Sequence, residues 1–188
     1  MTRQGFFETY KDWAIASMAK SGVPASITLA QGAIESENGN SRLAREGNNF
    51  FGIKVGPLWQ WSGPYILAND DKPNEKFRKY ESPYDSFIDH ADFLVINNLY
   101  NDCFKDTNYK NWAYCLKKAG YASSSTYATD LINIIEKNGL QKYDIEGEIQ
   151  MQTLPNTIIR NRKKLTIITI VIALLLIALY FVGKKIFN

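Results

Sequence analysis

The sequence predicts an α+β, mostly α domain with a small β-hairpin lobe, followed by one C-terminal transmembrane helix. Three observations carry this expectation. Helical hydrophobic periods alternate with Gly and Asn-Gly stops, a middle segment is aromatic and broken by Gly and Pro, and one long apolar run closes the chain. With 188 residues, 45% hydrophobic and 13% aromatic, the chain supports one ordinary domain with a real core plus a short extra segment.

The elements follow in order. A first helix covers Gln4 to Ala19. A second starts with Pro24 near its first turn and ends at Asn38-Gly39, a pair suited to left-handed backbone angles. Between Phe50 and Tyr80, Gly52, Gly56, Pro57, Gly63, Pro64 and Pro73 break any long helix, while Trp59, Trp61, Tyr65 and Ile66 suit short strands, which gives the hairpin lobe. Ser82-Pro83 with Asp85 starts a core helix carrying Phe87, Ala91 and Leu94 on one face. Another helix runs from Tyr109 to Ala119 and stops at Gly120. A last one, Thr126 to Lys137, places Tyr127, Leu131 and Ile134 in the core. The expected organisation is a domain over 1–143, a polar and basic tether over 144–164, a membrane helix over 165–182 and a short basic tail over 183–188.

The apolar run from Leu165 to Val182 has no charge, Pro or Gly, which is near the minimum for a bilayer span. Arg160, Arg162, Lys163 and Lys164 precede it, and Lys184 and Lys185 follow it. These six are the only charges after Glu148, so of the net +3, residues 1–150 hold 16 basic against 19 acidic groups, a net −3. Basic character belongs to the membrane flank, and nucleic-acid binding loses its support. The N-terminus, MTRQGFFETYKDWAIASMAK, contains acids and no apolar core of a secretory signal. The expected localisation is therefore a single-pass C-terminal anchor, with the charge bias favouring a cytoplasmic domain until release. Under that expectation Cys103 and Cys115 are reduced, and Cys115 is a small core residue beside Trp112, Leu116 and Ala119.

On the second helix, Thr28, Gln31 and Glu35 lie at i, i+3 and i+7, beside an apolar stripe of Ile27, Ala30 and Ile34. Glu35 thus sits between core and opening. Partial desolvation there raises a carboxyl's pKa, as a general acid requires if it is to hold a proton near neutral pH and deliver it to a leaving oxygen. Glu37 is turned about 200° from Glu35 by helical geometry and is expected to face solvent or cap the turn.

The surrounding blocks are AQGAIESENGNS (Ala30 to Ser41), NNFFGIK (Asn48 to Lys54), FRKY (Phe77 to Tyr80) and AGYA (Ala119 to Ala122). In this order, over roughly residues 8–143, they resemble glycoside hydrolase family 73, the bacterial endo-β-N-acetylglucosaminidases of flagellar-rod, autolysin and phage type. The resemblance implies a lysozyme-like fold, peptidoglycan as substrate and hydrolysis of the β-1,4 bond after N-acetylglucosamine. It makes Glu35 the general acid, with Ser36 and Ser41 shaping its surroundings. Asn48, Asn49 and Phe51 would form the cleft floor, with Tyr121 a cleft residue. The expected substrate-binding set is Gln31, Ser41, Asn48, Asn49, Phe51, Tyr80 and Tyr121.

For a second carboxylate the hairpin offers Asp70 and Asp71, ranked above Glu75. It lacks the family's usual Thr-x-Glu run, and assistance by the substrate's own acetamido oxygen is the open alternative. Trp59, Trp61, Tyr65, Tyr80 and Tyr121 are candidate platforms for the apolar faces of sugar rings. His90, the only histidine, has no companion ligand, so it is read as structural, with no metal and no cofactor. The expected function is a membrane-anchored peptidoglycan hydrolase. Its partners would be glycan strands, the bilayer, and proteins of a phage lysis or contractile secretion apparatus. A muramidase of the same fold and an inactive wall-binding or assembly protein are the alternatives.

Overall fold

The computed structural model describes residues 1–56, 61–70 and 72–153. The chain divides into two compact units, Met1–Met151 and Gln152–Asn188, and all that follows concerns the first. Its elements are α1 (Arg3–Ser21), α2 (Ala25–Glu35), α3 (Arg42–Gly47), β1 (Tyr65–Ala68), β2 (Glu75–Arg78), α4 (Pro83–Ile96), a 3₁₀ helix (Asn98–Lys105), α5 (Tyr109–Lys118), α6 (Tyr127–Asn138) and α7 (Gln141–Thr153).

Helix α2 is the centre. Every residue from Ala25 to Ala33 is buried, which is the pattern of a helix covered on all sides rather than of an amphipathic surface helix. α1, α5 and α6 pack against it, and α4 packs on α1. Phe6, Tyr10, Phe50 and Phe87 interlock in edge and tilted geometries between α1, α4 and the segment after α3.

Local chemistry explains the element ends. Thr2 caps α1 and Gly22, at φ 85°, closes it. At α4, Ser82 and Asp85 form a reciprocal capping box with Pro83 at the first helical position, as the sequence indicates. β1 and β2 pair antiparallel with Tyr65 opposite Arg78. Residues 53–55 add to the β2 edge through Arg78 N–H to Ile53 O at 2.9 Å and Val55 N–H to Lys76 O at 2.8 Å. The lobe is fastened to the helical body by Arg78, only 2% exposed, whose Nη1 lies 2.9 Å from both Asp89 oxygens on α4.

Several expectations need correcting. Residues 144–153, read as tether, are helical: α7 runs to Thr153, with Tyr143, Asp144 and Gly147 buried. Pro24 stands at the start of α2 as expected, and the helix has no side-chain cap from it. Instead Asp144 accepts from Ser26 N at 2.7 Å and from Ser26 Oγ at 2.6 Å, a cap supplied from 118 residues away. Burial raises the Asp144 pKa to about 6, against the Ser26 hydrogen bonds, which favour the anion. Gly147 lets α7 close onto α1, since a Cβ there would meet Met18 Sδ at 2.6 Å. Cys103 and Cys115 are disulfide-bonded, joining the 3₁₀ helix to α5. Spacing alone does not reveal this pairing, because it depends on those two elements lying side by side.

The transmembrane helix in the expected fold class, and the single-pass membrane localisation built on it, are also overturned. Among the described residues no helix is long and apolar enough to cross a membrane, and the stretch 165–182 lies outside them. The mostly helical body with its small hairpin is the fold that stands.

Candidate active site

Glu35 is the last residue of α2 because Ser36 ends the helix. The Ser36 N–H bonds to the Gly32 carbonyl, and its hydroxyl receives the Gly39 N–H at 2.7 Å. Glu37 and Asn38 then take left-handed angles, φ 53° and 57°, and turn the chain back toward α3. Glu35 is thereby fixed at the lip of a cleft of about 730 Å³. Phe51, Ile53 and Lys54 contribute one wall, Asp70, Phe77 and Arg78 come from the hairpin, and Phe93, Tyr100 and Tyr121 close the helical side.

Desolvation by the surrounding protein raises the Glu35 pKa, and the Tyr127 hydroxyl, 3.4 Å from Oε1, pulls it less strongly the other way. By surface area the residue is exposed, which looks contradictory. A carboxyl recessed in a concave wall satisfies both conditions: it touches cleft water while the dense protein around it denies it a full hydration shell. The partial negative charge at the C-terminus of α2 acts in the same direction.

Behind Glu35 lies an aromatic and amide layer. Gln31 Nε2 donates to Tyr127 Oη at 2.9 Å. Tyr121 stacks on Tyr127 with centroids 5.7 Å apart and meets His90 edge-on at 6.2 Å. His90 is fully buried and stacked 3.9 Å from Phe51. Burial drives its pKa down to about 3, so the ring is neutral.

The expected site residues divide accordingly. Glu35, Phe51, Asp70 and Tyr121 line the cleft. Gln31 is fully buried behind it. Ser41 caps α3 by accepting from Ala44 N. Asn48 takes a left-handed angle after α3 and donates to the Tyr80 and Glu81 carbonyls. Asn49 holds the Ile53 and Arg78 carbonyls and the Ile53 N–H. Tyr80 donates to Asp89 Oδ2 at 2.5 Å. None of these four is among the residues that line the cleft.

Lys54 pairs with Asp70 at 2.8 Å and with Glu75 at 3.0 Å. That pairing and the Lys72 N–H hold the Glu75 carboxyl below the usual range. Asp71 and Trp59 lie outside the described residues. Trp61 covers the Arg78 guanidinium at 4.9 Å, and Tyr65 is exposed beneath Lys76 Nζ at 4.6 Å. Glu37, expected to face solvent or cap the turn, is exposed within that turn and also borders the cleft. Sequence reading missed Tyr127 as a partner of Glu35. Its place in the core period of α6 is legible, but its hydroxyl's destination exists only once α6 packs on α2.

A carboxyl recessed over an open cleft on a helical body is an arrangement of the kind lysozyme-type glycosidases use. The chain belongs to the glucosaminidase family, whose model, described as mannosyl-glycoprotein endo-beta-N-acetylglucosaminidase, matches residues 11–140. The resemblance in its sequence blocks is thus borne out. Exo-glucosaminidase LytG of Bacillus subtilis (strain 168) is 33% identical over 155 residues, covering 76% of this chain and 54% of LytG. Peptidoglycan hydrolase FlgJ of Escherichia coli (strain K12) is 32% identical over 130 residues, 63% of this chain and 41% of FlgJ. The glycoside hydrolase domain of Salmonella typhimurium FlgJ superposes with TM-score 0.65 at 27% identity, covering 81% of this chain and 98% of that domain. The catalytic domain of the Listeria monocytogenes autolysin Auto gives 0.64 at 28%, over 76% and 88%. The chain spans about half the length of the curated relatives it matches.

Proposed function

We propose that this protein hydrolyses the glycan strands of peptidoglycan at the β-1,4 bond after N-acetylglucosamine, with Glu35 as general acid. Support comes from the family membership, from relatives named as peptidoglycan hydrolases, and above all from one observation: the cleft carboxyl with a desolvation-raised pKa is Glu35. Its proton passes to the departing sugar oxygen as the bond to C1 lengthens, leaving positive charge on the ring. Asp70 is the expected hairpin carboxylate that lines the same cleft. Held 2.8 Å from Lys54 Nζ, it is placed to steer the incoming water or to meet charge at C1. Phe51 and Tyr121 offer apolar faces to the sugar.

The test is digestion of purified peptidoglycan by the full chain, followed by reduction of the new ends and mass analysis. Reduced N-acetylglucosamine ends are expected. Reduced muramic acid ends would assign the other bond and a muramidase, and wall binding without any turnover would make the protein an inactive binder.

A further inference from the structure

Gln31 and Glu35 are four residues apart on α2, so they share a helix face, and both reach the Tyr127 hydroxyl on α6. Gln31 is fully buried and does not line the cleft, which leaves it no contact with a sugar. Its Oε1 is buried and has no hydrogen-bond partner among the described residues. A buried amide with an orphaned oxygen is costly to keep, and leucine or methionine would fill the same space without that cost.

We propose that Gln31 is a positioning residue that, through the Tyr127 hydroxyl, sets the orientation and protonation balance of Glu35. This inference rests on the reading of Glu35 as the acid. With the amide nitrogen donating to Tyr127 Oη, the phenol proton is free to point at Glu35 Oε1, an arrangement that suits the carboxylate. Rotating the amide end over end presents the orphaned Oε1 to the phenol instead. Tyr127 then donates to Gln31 and accepts from the protonated Glu35. A single amide therefore satisfies the acid both before and after it gives up its proton, and no atom of the relay has to move far. A hydrocarbon at position 31 could do neither.

Other titratable groups around Glu35 are Tyr121 from the loop before α6 and Tyr100 from the 3₁₀ helix, while Glu37, Lys54, Asp70 and Arg78 border the same cleft. The Tyr121 phenol is held neutral by burial. None of these is bonded to Glu35 as Tyr127 is, so the two-residue relay can be tested without disturbing them.

The experiment is the rate-against-pH profile of the full chain on soluble peptidoglycan fragments, with thermal unfolding as the control for folding. Tyr127→Phe removes a donor that favours the Glu35 anion, so the alkaline limb moves upward by on the order of half a pH unit or more. Gln31→Met keeps the volume and loses the amide. It moves the limb the same way and lowers kcat about tenfold with KM nearly unchanged. Since both act through one hydroxyl, the double variant shifts no further than Tyr127→Phe alone. An unmoved limb in Tyr127→Phe, or shifts that add in the double variant, would overturn the relay. Should Gln31→Met fail to fold, Gln31→Asn, one methylene too short to reach Tyr127, replaces it with the same expected shift. Glu35→Gln separates the two levels: retained turnover in it sinks the acid assignment, whereas lost turnover in it together with an unmoved limb in Tyr127→Phe sinks the relay alone.

Discussion

The two ends of α2 each meet a desolvated carboxylate and treat it in opposite ways. At the N-terminus, Asp144 is buried and accepts two short hydrogen bonds from Ser26, at 2.7 and 2.6 Å. At the C-terminus, Glu35 has one long contact with Tyr127, 3.4 Å, and opens onto the cleft. Burial raises both pKa values. The helix N-terminus offers donors and positive partial charge, so a carboxylate there completes the structure. The C-terminus offers neither, so the carboxyl stays reactive. The difference lies in what surrounds each group, since the chemical group is the same.

The sharpest way to break this comparison is Glu35→Gln. Loss of a general acid is expected to lower kcat on the order of 10³-fold, measured as reducing ends released from peptidoglycan. The same variant is expected to unfold at a slightly higher temperature near pH 7, because an amide carries no charge to desolvate. A lower melting temperature would mean that Glu35 is a structural group like Asp144.

Asp144→Leu should do the reverse. It leaves two buried donors of Ser26 without an acceptor, at a cost of about 2–4 kcal/mol in urea unfolding, while activity per folded molecule at low temperature stays near the parent's. An unchanged midpoint would show that the capping contact contributes nothing.

Asp144 also gives the stability a pH dependence of definite sign. Its folded pKa, about 6, lies above the ordinary value of 3.8, so the folded state binds the proton more tightly than the unfolded chain. The stabilisation is complete below about pH 3.8 and is lost as pH rises through about 6. Asp144→Asn should flatten that decline, which is on the order of 3 kcal/mol. An identical slope in parent and variant would assign it to other groups. The smallest effect belongs to Ser26→Ala, about 1 kcal/mol at neutral pH for the lost hydroxyl bond, with no change in the catalytic pH profile.

Legibility in the sequence followed the range of the signal. The Ser82-Pro83-Asp85 start, the Asn38-Gly39 turn and the Glu35 position are local patterns, and all three are present in the fold. α7 escaped notice because YDIEGEIQM has no apolar period. It docks through Tyr143, Asp144 and Gly147, and a buried acid beside a glycine resembles a solvated linker until its partners are known. α3 has six residues, too few for periodicity. For Asn48, Asn49 and Tyr80 the structure adds hydrogen bonds within the fold that the sequence does not display. Side-chain amides that hold carbonyls of a neighbouring loop and amides that hold a sugar look alike in a one-dimensional string. The Gln31–Tyr127 bond spans 96 positions and leaves no local trace.

The acceptor for the first donors of α2 lies 118 residues downstream. On a ribosome, the segment ending in Glu35 is therefore made long before the aspartate that fastens its beginning. A nascent chain stopped at Leu140 has every residue that lines the cleft but lacks Tyr143 and the aspartate that ties the start of α2. Stable docking of the helix that ends in Glu35 is tied to near-completion of translation of this unit, so products that stop before α7 would unfold readily.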